Sequence, residues 1–558
     1  MISLQWDGKR ESGARADGRS PADMEVIESF GSPEEAADRV VWGDNLALLQ
    51  AMLPSHAGAV DLIYIDPPFG IEADMPYATD MGRGNEAPAG NRFVASATAY
   101  RDRWEAGPDG YLSMLYPRLL LMHRLLRDSG SFYIHLDPTM SHAAKVLLDE
   151  VFGPGCFQRE IIWRIGWISG YKSAVKNWVR NHDVILFYVK TPGHFTFHKE
   201  YVPYGTDYVR RGGGEGKGYP MEDVWNANQA EFMLQGEESL DSIQIKSFSR
   251  EKTGVATQKN KSLLRRIVRA SSNPGDLVAD FFCGSGTTLV VAQEEGRRFL
   301  GCDSSPIAIT AVRKRLVTGP QPAALQVLNL TPDPEIATAW RMRVLEAYGA
   351  TASLPPFSGR AMDTGLVVGE PDTPVGGHQI TEAAEGCQRE GLSALHVAAW
   401  MWEPNVTEAA QAWRERGVDV ALLQLPRGAG QGEARGRRLA LPELPEVSVR
   451  AEVFPHVAHV RLESVWYPHP EWLPTAARAV DWDGWVDYWA VSHTEEGPLR
   501  PVFAAGRMRT SKAPLPVTAR VPWDGRAATI TVQVIDVFGQ QVQYRVAISQ
   551  TETPDKVV

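Results

Sequence analysis

Asp66, Pro67, Pro68 and Phe69 follow one another directly after the apolar run DLIYI, and together they hold the parts of an amine-binding site. An exocyclic amine conjugated to a heteroaromatic ring is a weak nucleophile. To attack an electrophile it needs acceptors for its N–H groups, so that the nitrogen lone pair localises. A carboxylate beside a backbone carbonyl supplies two. The prolines have no N–H and a fixed φ, which stiffens the turn and keeps the Pro67 carbonyl aimed outward. Phe69 offers a flat apolar face to a ring. A base within a duplex would have to rotate out of the stack to reach such a pocket. The bland alternative is a β-turn after a strand, where Asp-Pro is common; the place at the end of a buried-looking strand favours the chemical reading.

A second constellation runs from Asp280 through Phe282, Cys283, Gly284, Ser285, Gly286 and Thr287 to Thr288, with Asp303 closing the next apolar run. Glycines at 284 and 286 let backbone come close to a ligand, and an acid at the tip of the following strand suits two ribose hydroxyls. A dinucleotide site would need a third glycine opening the helix, where Thr287, Thr288 and Leu289 stand instead, and the Gly-Lys-Ser/Thr of a P-loop is absent. Without phosphates to hold, a nucleoside cofactor such as S-adenosylmethionine fits better than NAD or ATP.

Two βαβ units must position these groups. In the first, RVVWGD (39–44) reads as a strand, NLALLQAML as a helix and DLIYID (61–66) as a buried parallel strand. Residues 71–110, rich in Gly, Ala, Asn and Asp, read as a long catalytic-side loop. A helix over YLSMLYPRLLLMHRLLRDSG and a strand SFYIHLD follow, then a helix over 142–151. The runs REIIW and DVILFYV could close the sheet as an antiparallel hairpin. In the second unit NKSLLRRIVRASS is an amphipathic helix, DLVADFF a strand, LVVAQEEG a helix and RRFLGCD a strand. The expected fold is therefore α/β, a Rossmann-like doubly wound sheet with its site at the carboxyl ends of the strands. Beyond about 330, Pro-rich linkers and alternating strands predict a separate C-terminal α/β or β-rich domain in which no chemical constellation is visible. Asp536 and His493 there read as turn or surface residues. The domain reading is a polar lead-in at 1–38, a catalytic domain at 39–320 and an accessory region at 330–558.

A chain of 558 residues is too long for one hydrophobic core. Its net charge of −11 looks wrong for a nucleic-acid binder, but the sum hides local asymmetry. Over 246–269 the chain carries Lys246, Arg250, Lys252, Lys259, Lys261, Arg265, Arg266 and Arg269 against Glu251, and Arg159, Arg164, Lys172, Lys176 and Arg180 form a second basic stretch. Four cysteines without a CxxC pair argue against a zinc site and a disulfide framework, so no metal is expected. No apolar run approaches a membrane span, and the charged, Gly-rich N-terminus does not read as a secretory signal. The expected compartment is the cytoplasm.

The two motifs, in this order, resemble the β-group of DNA amino-methyltransferases, the circularly permuted arrangement in which DPP(Y/F) precedes the cofactor glycine loop. The resemblance spans roughly 40–316, through GDNLALLQAML, DLIYIDPPF, RLLLMHRLLRDSG, SFYIHLD, TQKNKSLLRRIVRASSNPGDLVADFFCGSGTT and RRFLGCD. It implies that Asp66, Pro67, Pro68 and Phe69 are catalytic. Gly284, Gly286 and their neighbours Asp280, Phe282, Ser285 and Thr287 would hold the methionine part of S-adenosylmethionine. Asp303 would bind its ribose and Asp44 would lie near its adenine. Gln258 and Lys259 resemble the segment that folds over the cofactor, although Ala256 and Asn260 stand where the family tends to have prolines and Phe281 replaces the common proline after Asp280.

The layout is similar to modification subunits of type III restriction-modification and related phage-defence systems. The implied activity is site-specific methylation of adenine N6 in double-stranded DNA, with target recognition at about 165–256. A restriction, helicase or defence-system subunit and a second copy of the chain are the implied partners. Two alternatives stand beside this reading. A cytosine-N4 methyltransferase uses the same amine chemistry but more often has Ser in place of Asp66. A catalytically silent DNA-binding scaffold would tend to lose Asp66 or the glycine loop, and both are present. RNA and protein methyltransferases with a related motif usually place the cofactor loop first.

Overall fold

The computed structural model of the chain describes residues 2–16, 23–32, 38–70, 73–82, 93–102, 104, 106–166, 175–202, 204, 217–227, 231, 234, 239–240, 251–255, 257–319, 322–331, 334–353, 355–425, 443–454, 456–473, 480–494, 497–508, 514–523 and 529–550. Parts of the target-recognition region expected at 165–256, chiefly 167–174, 205–216 and 241–250 with Lys172 and Lys246 to Arg250, and also Ala256, lie outside them.

In chain order the first half contains α1 (Lys9–Ala14), β1 (Met24–Phe30), β2 (Asp38–Trp42), α2 (Asn45–His56), β3 (Val60–Ile65), β4 (Ala73–Gly82), β5 (Phe93–Asp102), α3 (Gly107–Leu125), β6 (Leu126–Leu136), α4 (Ser141–Phe152), β7 (Phe157–Arg164) and β8 (His182–Val189). Short strands β9 (Tyr201–Val202), β10 (Tyr219–Pro220) and β11 (Val224–Trp225) follow, then α5 (Lys261–Ser271), β12 (Leu277–Asp280), α6 (Thr287–Glu294), β13 (Arg298–Asp303), α7 (Pro306–Val317) and β14 (Leu325–Leu330). Ten of these strands form one sheet in the order β1-β14-β2-β13-β12-β3-β6-β8-β7-β11. From β14 to β6 every pairing is parallel, and β8 and β7 return antiparallel as the hairpin expected from their sequences.

The apolar runs of the strands are buried on both faces, and the period of two decides which helices each residue meets. Ile63 and Ile65 share a core with Leu48 and Leu49 of α2, Leu115 and Leu119 of α3 and Leu147 of α4. Leu62 and Tyr64 face the other way, with Leu263 and Ile267 of α5, Val291 of α6 and Ile309 and Val312 of α7. This is the doubly wound α/β fold the sequence predicts. The order is permuted as expected: β3 precedes β12 by more than two hundred residues in the chain, yet the two pair directly, with Val278 opposite Leu62 and Ala279 opposite Ile63.

Three expectations need correction. Residues 71–110 are not simply a loop, because β4 and β5 pair as an antiparallel ribbon, with Tyr77 opposite Ala97, and α3 begins at Gly107. Gly, Asn and Asp are depleted in strands, so composition concealed a ladder made by backbone groups. The lead-in at 1–38 supplies α1 and the edge strand β1, which pairs antiparallel with β14. The sheet also takes β14 from beyond 320.

The second half opens with α8 (Pro334–Ala347), β15 (Thr351–Ala352), β16 (Gly359–Ala361), β17 (Thr364–Val368), α9 (Gly377–Glu390), β18 (Ala394–Ala399), α10 (Val406–Arg414) and β19 (Asp419–Gln424), a five-stranded mixed sheet. Then β20 (Glu446–Phe454), β21 (Val457–Trp466), β22 (Val486–Ser492), β23 (Pro501–Gly506), β24 (Thr518–Pro522), β25 (Thr529–Asp536), β26 (Gln541–Ala547) and β27 (Ser549–Gln550) form two four-stranded sheets. Both the α/β and the β-rich descriptions of this region therefore apply. Among the described residues no helix is long and apolar enough to cross a membrane.

Candidate active site

Four neighbouring parallel strands deliver the candidate residues at their carboxyl ends. Asp66 follows β3, Asp280 ends β12, Asp303 ends β13 and Asp44 follows β2. The tip carrying Asp66 and the glycine turn thus meet at one edge, and Asp280 feels the charges of both Asp66 and Asp303. Burial, with those two like charges, pushes the Asp280 carboxyl up to about 7 against hydrogen bonds from the Thr288 hydroxyl (2.6 Å) and the Phe282 N–H (3.0 Å). Asp280 is therefore a buried support for the turn. Burial also raises Asp303, whose Oδ2 accepts from the Gly284 N–H (2.9 Å) and whose Oδ1 accepts from the Ser305 N–H (2.9 Å). With the Ser304 N–H as a third backbone donor, the carboxylate keeps lone-pair capacity for one ligand hydroxyl.

Asp66 lies partly exposed between buried Pro67 and the opening, and Oδ2 accepts from the Lys259 ammonium at 2.5 Å. Its Oδ1 is buried and has no hydrogen-bond partner among the described residues. The same ammonium stands 5.0 Å from the centroid of the Phe69 ring. Phe69 in turn stacks on His135 of β6, centroids 6.1 Å apart and planes at 25°. Gly70, at φ +72°, lets the chain turn away after Phe69.

The glycine turn has an open side and a closed side. A Cβ on Gly284 (φ +50°) would meet nothing within 4 Å, whereas one on Gly286 (φ +74°) would lie 2.8 Å from Val312 of α7. Gly284 therefore borders free space and Gly286 is a packing contact. The buried Ser285 carbonyl and the Thr287 hydroxyl both accept from Arg315 (2.8 and 3.0 Å), and the Thr287 hydroxyl donates to the Lys259 carbonyl (3.3 Å). Gln258 does not reach the turn with its side chain. Its amide donates to the Glu251 carbonyl (2.8 Å) and accepts from the Thr253 N–H and hydroxyl, both at 2.8 Å, so it holds its own loop. Phe282 is half-buried beside the α2–α4 core. The free space at Gly284 and the orphaned Asp66 Oδ1 are what a nucleoside cofactor and an amine substrate require.

Sequence reasoning missed several supports. Asp44 caps α2, accepting from the Leu46 N–H at 2.8 Å, and also pairs with Arg118 of α3 at 3.2 Å. Arg118 donates to Asn45 (2.5 Å), and Asn45 donates to the Phe281 carbonyl (2.6 Å), which ties α3 to the glycine-turn strand. A charge inside the apolar run RLLLMHRLL was the signal available. Behind Phe69, buried His135 bonds Tyr64 through Nδ1 (2.9 Å) and Asp183 through Nε2 (3.2 Å). Arg180 pairs with Asp183 (2.6 Å) and Asp137 (3.2 Å). Burial opposes ionisation of Asp183, but His135, Lys259 and Arg180 together hold it down to about 2.

The basic run over 259–269 is largely neutralised within the fold. Lys261 pairs with Glu294, Arg265 with Glu294 and Glu295, Arg266 with Glu231 and Arg269 with Glu295. In the other basic stretch Arg180 is paired as well, and Lys176 is exposed. Because β8 runs antiparallel to β6, the segment before it lies at the strand-end face, and there Trp178 is 97% exposed beside exposed Lys176.

A doubly wound sheet of permuted order with this turn at its strand ends is the fold of S-adenosylmethionine-dependent methyltransferases, and S-adenosylmethionine is the cofactor. The model of the DNA methylase family matches residues 60–314. Similar proteins include the type II methyltransferase M.EcaI of Enterobacter cloacae, 29% identical over 380 residues that make up 58% of this chain and 79% of that one. The type II methyltransferase M1.MboII of Moraxella bovis is 33% identical over 192 residues, 32% of this chain and 68% of that protein. The DNA adenine methyltransferase YhdJ of Escherichia coli is 27% identical over 290 residues, 50% and 83% of the two chains. The chain belongs to the DNA methylase family and is an S-adenosylmethionine-dependent DNA amino-methyltransferase.

Proposed function

We propose that the chain methylates N6 of adenine in double-stranded DNA at a specific site, as the modification component of a restriction-modification or phage-defence system. The observation that carries this reading is the free, buried Oδ1 of Asp66 at the end of β3, one strand from the glycine turn at the end of β12. Bound S-adenosylmethionine supplies a methyl group on a sulfonium. The protein supplies the rest. Phe69 receives the face of the flipped base, while Asp66 and the Pro67 carbonyl accept from its amine and let the lone pair point at the methyl carbon. Asp66 would stabilise the positive charge that develops on the amine nitrogen as it takes the methyl group. The surplus proton then leaves through Asp66 to water.

Gly284 would border the methionine arm, with Asp280, Phe282, Ser285, Gly286 and Thr287 shaping the turn, and Asp303 would take the ribose. Asp44, paired with Arg118, would edge the adenine. Trp178 and Lys176 suit a DNA-facing surface, because an aromatic ring stacks on any base and a cation meets phosphate. A restriction, helicase or defence-system subunit would be the partner, in the cytoplasm. The relative named for adenine methylation supports N6 over N4.

The test is methylation of genomic DNA by the purified chain, followed by digestion to nucleosides and mass detection. N6-methyladenine is expected, and N4-methylcytosine as the sole product would overturn the adenine assignment. Asp66→Ala should lower the transfer rate by on the order of 10²–10³ while S-adenosylhomocysteine still binds.

A further inference from the structure

Lys259 stands where the target amine has to go. Its ammonium lies 2.5 Å from Asp66 Oδ2 and 5.0 Å from the Phe69 centroid, and so takes one of the two carboxylate oxygens and the aromatic face, leaving Oδ1 alone. Its side chain is only 9% exposed and that of Asp66 19%, so water screens the pair poorly. A second cation held there would oppose the positive charge that develops on the amine during transfer. The ammonium must therefore leave before chemistry.

The backbone of Lys259 does not need to move. Its carbonyl accepts from the Thr287 hydroxyl beside the glycine turn, and the next residue, Asn260, caps α5 by accepting from the Leu263 N–H at 3.1 Å. Gln258, just before it, anchors the loop to Glu251 and Thr253. From this fixed point a flexible four-carbon stem can swing. Among the described residues the ammonium's other hydrogen bond is a long one to the Thr257 carbonyl, at 3.4 Å. By the site reading above, the methionine arm of the cofactor would bring a carboxylate to the turn that the Lys259 backbone already touches. Arg315, a cation that does donate at that turn, is engaged by Ser285 and Thr287.

We propose that Lys259 is a cofactor-operated switch, an inference that rests on the site reading above. Without cofactor it covers Asp66 and closes the amine pocket. With cofactor bound, the ammonium passes to the methionine carboxylate and uncovers Asp66, so that a flipped base is accepted only when a methyl donor is in place. Asp66 and the cofactor carboxylate then compete for one ammonium, and loss of the first must strengthen binding of the second.

Calorimetry on the full chain separates this from a structural ion pair. The probes are S-adenosylhomocysteine, which has the carboxylate, and 5′-methylthioadenosine, which lacks the amino-acid arm. Asp66→Asn, nearly isosteric, should tighten S-adenosylhomocysteine on the order of tenfold and leave 5′-methylthioadenosine unchanged. Lys259→Met should weaken the first ligand alone, and in the double variant the gain from Asp66→Asn should vanish. Additive effects, or equal effects on both ligands, would overturn the switch while leaving the cofactor site intact. Failure of the wild-type chain to bind either ligand would overturn the site reading itself. Melting curves of each variant show whether it is folded.

Discussion

Asp183 and Asp536 are both buried carboxylates, yet their surroundings push them in opposite directions. Asp183 is held down to about 2 by His135, Lys259 and Arg180 despite its burial. Its contribution to stability is present above the unfolded value near 4 and is lost as pH falls through about 2. Asp536 is pushed up to about 7 by burial, which outweighs the Tyr467 hydroxyl (2.5 Å) and the N–H groups of Gln540 (2.7 Å) and Phe538 (2.8 Å). It favours the folded state fully below about pH 4, and that advantage fades as pH rises through about 7. Asp536→Asn should therefore flatten the decline in melting temperature between pH 5 and 8 relative to wild type, as thermal denaturation across that range would show. Parallel curves would mean that Asp536 titrates normally. The turn role read for Asp536 in the sequence agrees with these backbone bonds. Asp66, Gly284 and Asp303 were equally legible, because each stands where a strand pattern ends. His135 and Asp183 were not, and Arg118 showed only as a charge in an apolar run, since only tertiary contact makes a partner of residues so far apart in the chain.

At the level of elements, the glycine turn divides into an open side and a packed side, and the two glycines should fail differently. Gly284→Ala places a methyl in the open space and costs about 1–2 kcal/mol from the positive φ, so the larger loss should be in S-adenosylhomocysteine affinity. Gly286→Ala adds a collision with Val312 to the same strain, so its larger loss should be in melting temperature. Calorimetry and thermal denaturation on both variants check the contrast, and the same ranking in both assays would refute it. The strands β2, β3, β12 and β13 were readable as apolar runs because parallel strands buried on both faces have no polar alternation. The ribbon β4–β5 was not, since Asp74, Pro76, Asp80 and Gly82 break up the pattern of β4 and only its pairing defines it. The basic helix α5 misled in another way: periodicity identifies a helix but does not say whether its cations meet phosphate or, as here, Glu294, Glu295 and Glu231.

Across the whole molecule, the catalytic sheet and the C-terminal sheets share a charged, buried seam. Lys314 of α7 pairs with Asp487 of β22 at 2.7 Å, both nearly inaccessible, and Arg313 pairs with Glu28 of β1, which also accepts from Gln533 of β25 at 2.9 Å. Removing one partner leaves an uncompensated buried charge. Asp487→Ala should cost about 3–5 kcal/mol of stability in urea denaturation, and replacing Lys314 and Asp487 together with Met and Leu should recover most of it. A loss as large in the double variant would assign the effect to packing. None of these pairs could be read from the sequence, because their members are separated by hundreds of residues.

The seam also bears on how the chain can be cut. A fragment trimmed to 60–314 would lack β2, which sits between β13 and β14, and would strand two inward-facing cations without counter-ions. Val312, which props the glycine turn, lies on the same helix as those cations. Amputating the far half would thus weaken the helix that backs the glycine turn, so a minimal enzyme has to be sought by shortening surface excursions and not by severing the tail.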